Sequence, residues 1–253
     1  MSDTTFGQLP AVEIRSADGA RAIVTLFGAH LVSWTTADGA EQLFVSQRSA
    51  LNGSRAIRGG VPVIFPQFNE RGPIIRHGFA RVSSWTLEDS GDGFAVFALA
   101  PNAESAPWPH AFALRLRLEI HGAQLTMTLD VDNTGAAPFD FSAALHTYHL
   151  IADVAAVRID GVQADTLAIG DKLDTIFDGV GDVTIRAGAR TVQSSQSGFK
   201  QAVVWNPGDV DIVDIAPGEY RHFVCVEPAV IAPVTLGAGA HWRGVNTLRV
   251  QKT

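Results

Sequence analysis

Residues 111–131 read Ala111-Phe-Ala-Leu-Arg-Leu-Arg-Leu-Glu-Ile-His121-Gly-Ala-Gln-Leu-Thr-Met-Thr-Leu-Asp-Val131. Phe112, Leu114, Leu116, Leu118 and Ile120 alternate with Arg115, Arg117 and Glu119. After His121-Gly122 the alternation resumes, with Leu125, Met127, Leu129 and Val131 against Thr126, Thr128 and Asp130. A period of two puts every apolar side chain on one side of an extended chain and every polar one on the other. The stretch therefore predicts a β-hairpin with one buried face. Working outward, short strands are expected at 21–27, 30–35, 94–99, 139–148, 201–205, 221–227, 230–236 and 245–250. Turns such as Asp38-Gly39, Gly91-Asp92-Gly93 and Pro217-Gly218 part many of them. No stretch carries a capped helical stripe, and no repeat of about 20–50 residues recurs. Residues 151–200 are polar and glycine-rich without being of low complexity, which leaves room for short strands. The expectation is an all-β protein with few or no helices, a large β-sandwich forming a single domain over 1–253. Two small sandwiches joined near residue 105 are the competing arrangement.

The chain has 253 residues, 46% of them hydrophobic and 18% charged, which supplies a large core and argues against disorder. A formal net charge of −7 argues against a general nucleic-acid partner. Cys225 is the one cysteine, so no intramolecular disulfide forms and a reducing compartment is expected. Residues 1–10 have neither the basic nor the apolar region of a signal peptide, and no apolar run approaches the ~20 residues of a membrane span. These features point to a soluble, cytoplasmic protein without a membrane partner.

Between Arg55 and Arg81 lie five arginines (Arg55, Arg58, Arg71, Arg76, Arg81) and one acid, Glu70, within an otherwise acidic chain. Planar guanidinium groups suit capture of phosphate oxygens, and the neighbouring Gly59-Gly60 and Gly72-Pro73 mark loops. The plainer alternative is a solvated face with scattered arginines. His146 lies in Phe139-Asp-Phe-Ser-Ala-Ala-Leu-His-Thr-Tyr148, where strand parity puts Phe139, Phe141 and Leu145 on one face and Ser142, His146 and Tyr148 on the other. A histidine opposite an apolar face can line a ligand cleft, or simply be a hydrogen-bonded strand residue. Glu227 ends the run Phe223-Val-Cys-Val-Glu227 before Pro228. Burial of such a carboxylate would raise its pKa and fit it for general-base work; exposure at a strand end would not. No phosphate loop, dinucleotide fingerprint or histidine metal-ligand spacing is present, and His146 and His149 fall on opposite strand faces. Cys225, inside an apolar run, reads as core, and the five tryptophans are left as core residues.

Taken together, five ordered blocks resemble the aldose 1-epimerase superfamily, most closely its hexose-6-phosphate 1-epimerase branch. They are Ile57-Arg-Gly-Gly-Val-Pro-Val-Ile-Phe-Pro66, His77-Gly-Phe-Ala-Arg81, Ala144-Leu-His-Thr-Tyr148, Val204-Trp-Asn-Pro207 and Val224-Cys-Val-Glu-Pro228. The resemblance implies the galactose-mutarotase-like sandwich and interconversion of the α and β anomers of a hexose 6-phosphate, without cofactor or metal, by a monomer. It makes His146 the general acid at the ring oxygen and Glu227 the general base at the anomeric hydroxyl. Arg58, Arg81 and His77 fall on substrate-binding positions. Arg76 stands where relatives often carry glutamine, and Asp174 matches an acid that grips sugar hydroxyls. His149 replaces a usual phenylalanine, Gly208 replaces a common tryptophan, and the segment between His146 and Asp174 is short. Two other readings compete: an epimerase for unphosphorylated hexoses, which needs no arginine cluster, and a non-catalytic carbohydrate-binding sandwich, which needs no acid–base pair.

Overall fold

The computed structural model describes residues 2–252. Its strands, in chain order, are β1 (Ser2–Phe6), β2 (Leu9–Arg15), β3 (Arg21–Thr25), β4 (His30–Thr35), β5 (Val63–Ile64), β6 (Thr86–Gly91), β7 (Phe94–Leu99), β8 (Phe112–His121), β9 (Gln124–Asn133) and β10 (Phe139–Leu145). The series continues with β11 (Tyr148–Leu150), β12 (Val157–Asp160), β13 (Leu167–Ala168), β14 (Leu173–Asp178), β15 (Val183–Ala187), β16 (Arg190–Ser197), β17 (Gln201–Asn206), β18 (Phe223–Leu236) and β19 (His241–Lys252). Three short 3-10 turns are the helical content among the described residues, and no helix is long and apolar enough to cross a membrane.

The hairpin read from the sequence is β8–β9. Leu114 pairs with Val131, Leu116 with Leu129 and Leu118 with Met127, which brings the two apolar faces into register. Gly122, at φ 58, takes the left-handed position that a two-residue turn requires. This hairpin lies inside a nine-stranded antiparallel sheet ordered β13-β12-β15-β16-β19-β9-β8-β7-β6. A second sheet, ordered β14-β17-β18-β10-β5 with β11 also on β18, packs against it. One core cluster, running from Val12 to Leu248, draws on the inner faces of both sheets and of the four-stranded sheet β1-β2-β3-β4. The architecture is the expected β-sandwich.

Three local expectations are revised. Residues 139–148 form two strands, interrupted at His146-Thr147, where His146 N donates to Pro62 O (3.0 Å) and Tyr148 N to Gly60 O (2.9 Å). Residues 223–227 and 230–236 instead belong to one strand, β18, which runs straight through Pro228, while Arg221 and His222 end a 3-10 turn before it. The proline is tolerated because of that interruption. Val226 N donates toward Thr147 O, so Pro228 faces the same neighbour at Leu145, whose carbonyl already accepts the Thr147 N–H at 2.9 Å. Glu227 consequently sits in mid-strand and not at a strand end. Finally, β1 and β2 precede the first strand read from the sequence.

The six-stranded sheet has two unlike faces. Val204, Val224, Val226, Ala143 and Leu145 enter the main core, while alternate residues face the other way. Lateral pairing aligns Asp174, Trp205, Cys225 and Tyr148 in one row of that outer face, with Ile176, Val203 and Glu227 in the next. The functional candidates stand on this face.

Candidate active site

Register brings His146 and Glu227 together. Ala144 pairs with Ala229 and Tyr148 with Cys225, so the two-residue interruption leaves His146 directly across from Glu227. His146 Nε2 lies 3.3 Å from Glu227 Oε1, with the two side chains 10% and 1% exposed. Glu227 Oε2 and His146 Nδ1 have no hydrogen-bond partner. Burial pushes the Glu227 carboxyl well above its usual range, with Asp174 adding to the effect. Burial likewise holds His146 well below 6.5, assisted by His77, Arg58 and Arg81. Buried charges are costly, so both shifts favour the uncharged pair, with one proton between its members.

Aromatic rings fix the histidine. Tyr148 stacks on it (centroids 4.9 Å apart, interplanar angle 12°), Trp205 meets it edge-on at 5.9 Å and His77 edge-on at 5.7 Å. His77 sits at φ 65 in a closed loop: its N–H donates to Asn69 O (2.8 Å), and its Nδ1 accepts from Asn69 N (3.2 Å). That acceptor role fixes the neutral tautomer with the proton on Nε2. Burial, then Arg81, Arg76 and Arg58, drives the His77 pKa down to about 3.

Arg58 donates from Nη1 to Tyr148 Oη (2.9 Å) and from Nε to Asp214 Oδ1 (3.1 Å), and lies over the Trp205 ring. Arg81 donates to Arg76 O (2.7 Å), and its Nε has no partner. Burial lowers the Arg81 pKa to about 10. Neither Arg76 nor Arg81 has a carboxylate partner among the described residues, which leaves an unneutralised cationic wall.

All seven residues singled out from the sequence (Arg58, Arg76, His77, Arg81, His146, Asp174, Glu227) line one cavity of about 630 Å³. Arg55 joins them; Arg71 does not. Sequence reasoning missed Trp205, Lys172 and Asp214, which share the lining. Strand parity could have placed Trp205 on the face of Val203, but nothing in the sequence marks Asp214. The cavity joins a buried acid–base pair to a cationic wall, an arrangement suited to moving protons on a polar, anionic ligand.

His149 lies behind the site. It is buried, its Nε2 has no partner, and burial followed by Arg190 lowers its pKa to about 3. The folded value lies below the unfolded 6.5, so the unfolded chain binds the extra proton and stability is lost as pH falls from 6.5 toward 3. At pH 5 this one residue costs about 2 kcal/mol. His149→Phe is expected to shrink the drop in melting temperature between pH 7.5 and pH 5. An unchanged drop would refute the assignment.

Comparison with known proteins follows the same line. The aldose 1-epimerase family model matches residues 10–180. A Cenchrus ciliaris protein named "Putative glucose-6-phosphate 1-epimerase" is 30% identical, over 93% of this chain and 83% of its own length. An Escherichia coli protein of the same name is 31% identical over 83% and 79%. A crystal structure described as a "putative mutarotase" from Salmonella typhimurium superposes with a TM-score of 0.90 at 26% identity, covering 100% of this chain and 94% of that one.

Proposed function

This chain belongs to the aldose 1-epimerase family, and from that premise we propose that it interconverts the α and β anomers of a hexose 6-phosphate, with Glu227 and His146 as base and acid. The observation that carries the reading is the buried His146–Glu227 pair, 3.3 Å apart, lining the cavity. Ring opening of a hemiacetal removes a proton from O1 and delivers one to O5. Burial favours the shared proton on Glu227 at rest; its transfer to His146 across the 3.3 Å contact readies the pair, and Glu227 then accepts the O1 proton as the C1–O1 bond becomes a carbonyl. The C1–O5 electron pair leaves to O5 and takes the proton of His146. Rotation about C1–C2 turns the other carbonyl face toward O5, and the reverse transfers close the other anomer. The pair ends as it began, with one proton.

Arg58, Arg76 and Arg81 would hold the 6-phosphate, a role supported by the unneutralised charge of Arg76 and Arg81 beside Arg58 in the cavity wall and by the names of the relatives. Asp174 and the Nε2–H of His77 would meet sugar hydroxyls. Charge-assisted hydrogen bonds contribute about 1.5–3 kcal/mol each. Two such bonds would make kcat/KM for glucose 6-phosphate on the order of 10²–10⁴ times that for glucose. Anomer exchange measured by NMR on both sugars tests this; equal efficiency would remove the phosphate from the proposal and leave the epimerase. One observation favours that neutral-hexose reading: Asp214 already satisfies part of the Arg58 charge.

A further inference from the structure

Cys225 has no part in the chemistry above, yet it lies beside the reacting pair. It stands two residues before Glu227 on the same face of β18 and directly across from Tyr148. Its Sγ, a His146 ring nitrogen and a Glu227 carboxylate oxygen all lie within 4.8 Å of one another, and all three side chains are buried. Two further facts point to a ligand. Glu227 Oε2, on a residue 1% exposed, has no hydrogen-bond partner, and both Glu227 and His146 line the cavity, while Cys225 is fully buried.

We propose that His146, Cys225 and Glu227 form a binding site for a thiophilic divalent cation of the zinc class, and that the bound ion blocks the enzyme. Thiolate, imidazole and carboxylate are the donors that a zinc-like ion takes, with three protein ligands leaving a fourth position open. That fourth position would be filled from the cavity that His146 and Glu227 line. Bonds of about 2.0–2.3 Å in a tetrahedron set donors roughly 3.4–3.8 Å apart. The His146–Glu227 contact, at 3.3 Å, is already near that spacing. With all three donors within 4.8 Å of one another, the rest closes by side-chain shifts of roughly 1 Å. Binding displaces the thiol proton and the proton shared by the pair into solvent and involves no redox change. With the ion in place neither His146 nor Glu227 can exchange a proton with a sugar. The blockade rests on the catalytic reading of the pair; the site itself does not.

Cadmium reads the site directly through the ultraviolet thiolate-to-metal charge-transfer band, and zinc reads the blockade through anomer exchange. The expected result is a band that saturates at one cadmium per chain, with zinc inhibition reversed by a chelator. Cys225→Ala and Cys225→Ser should abolish the band and raise the zinc concentration for half-inhibition by at least about 10–100-fold, while exchange without zinc stays within about twofold. The band also separates this site from the His241, Asp130 and Asp132 group, which has no thiol to give one. Absence of the band, or inhibition that both Cys225 variants leave unchanged, overturns the site and leaves the catalytic reading standing. A saturable band without inhibition overturns the blockade and counts against the catalytic reading.

Discussion

Glu227→Gln is expected to lower kcat for anomer exchange by about 10³-fold, with KM changed only a few-fold. Glutamine keeps the volume of the side chain and its capacity to accept a hydrogen bond, but it cannot take a proton from O1. Positioned acid–base groups typically contribute about 10²–10⁴-fold. His146→Asn should act on the same scale. Because the two groups share one proton, the double variant should be little slower than either single one, as for residues that act as a unit. Folding is not the cause of the loss. A buried carboxylate without a partner at Oε2 is costly, so the Glu227→Gln variant should melt no lower than the parent. The pH profile carries the same signature. His146 is held well below 6.5, so a second proton enters the pair only well below that pH. Glu227 is held well above 4.5, so the last proton leaves only well above that value. The parent should therefore show a plateau of kcat/KM whose acid limb lies well below 6.5 and whose alkaline limb lies well above 4.5. Exchange spectroscopy between the two anomeric signals, corrected for spontaneous mutarotation, measures all of this. Near-parental exchange in the Glu227→Gln variant would end the assignment.

The sheet-forming part of the chain was legible wherever burial is one-sided. In β8 and β9 the inward residues from Phe112 to Val131 are large and apolar and, Ala113 apart, the outward ones are polar, so periodicity and structure coincide. The signal fades in β12 to β16, where strands are short and Ser, Thr, Gln and Arg fill the outward positions. At Pro228 a local rule misled. Proline ordinarily ends a central strand, but here the N–H it lacks would have met a carbonyl already taken by Thr147. That compensation comes from another strand and leaves no trace beside the proline.

The site shows the same division. Parity alone separated His146 and Tyr148 from Leu145, and the structure keeps that separation. What parity could not supply was the partner. His146 meets Glu227 because β11 and β10 bracket a gap along β18, a register set by strands distant in sequence. Asp214 reaches Arg58 from a loop 156 residues away. The loop around it carries Val210 and Val213, two of the few exposed large apolar side chains, so its composition gives no hint of a buried ion pair.

The second large effect is structural and falls on the Arg58-Gly59-Gly60 block. Gly60→Ala is expected to destabilise the protein by about 3–5 kcal/mol. Gly60 sits at φ 57, and a Cβ there would lie 2.2 Å from Leu31 O and 2.9 Å from His30 Nε2. Left-handed backbone costs alanine about 1–2 kcal/mol. The overlap with a backbone carbonyl cannot be relieved by a rotamer, and overpacking of this kind costs about 1–3 kcal/mol. Leu31 O also accepts the Val61 N–H at 2.9 Å, Gly60 N donates to Phe44 O at 2.7 Å, and Gly60 O accepts from Tyr148 N at 2.9 Å. Any shift that frees the methyl strains one or more of these bonds, each worth about 0.5–1.5 kcal/mol. For a chain of this length the melting temperature should fall by roughly 10 °C. Gly39→Ala is the matched control: Gly39 has φ 82 with nothing within 4 Å of the added carbon, so only the backbone cost applies and the fall should be a few degrees. Because Gly60 ties Arg58 and Tyr148 to the same backbone, the fraction of the Gly60→Ala variant that stays folded should also bind its sugar more weakly, which the Gly39→Ala variant should not. If the two variants melt alike, the segment is not wedged between β4 and the Phe44 backbone, and the account of how the fold holds Arg58 against the acid–base pair fails with it.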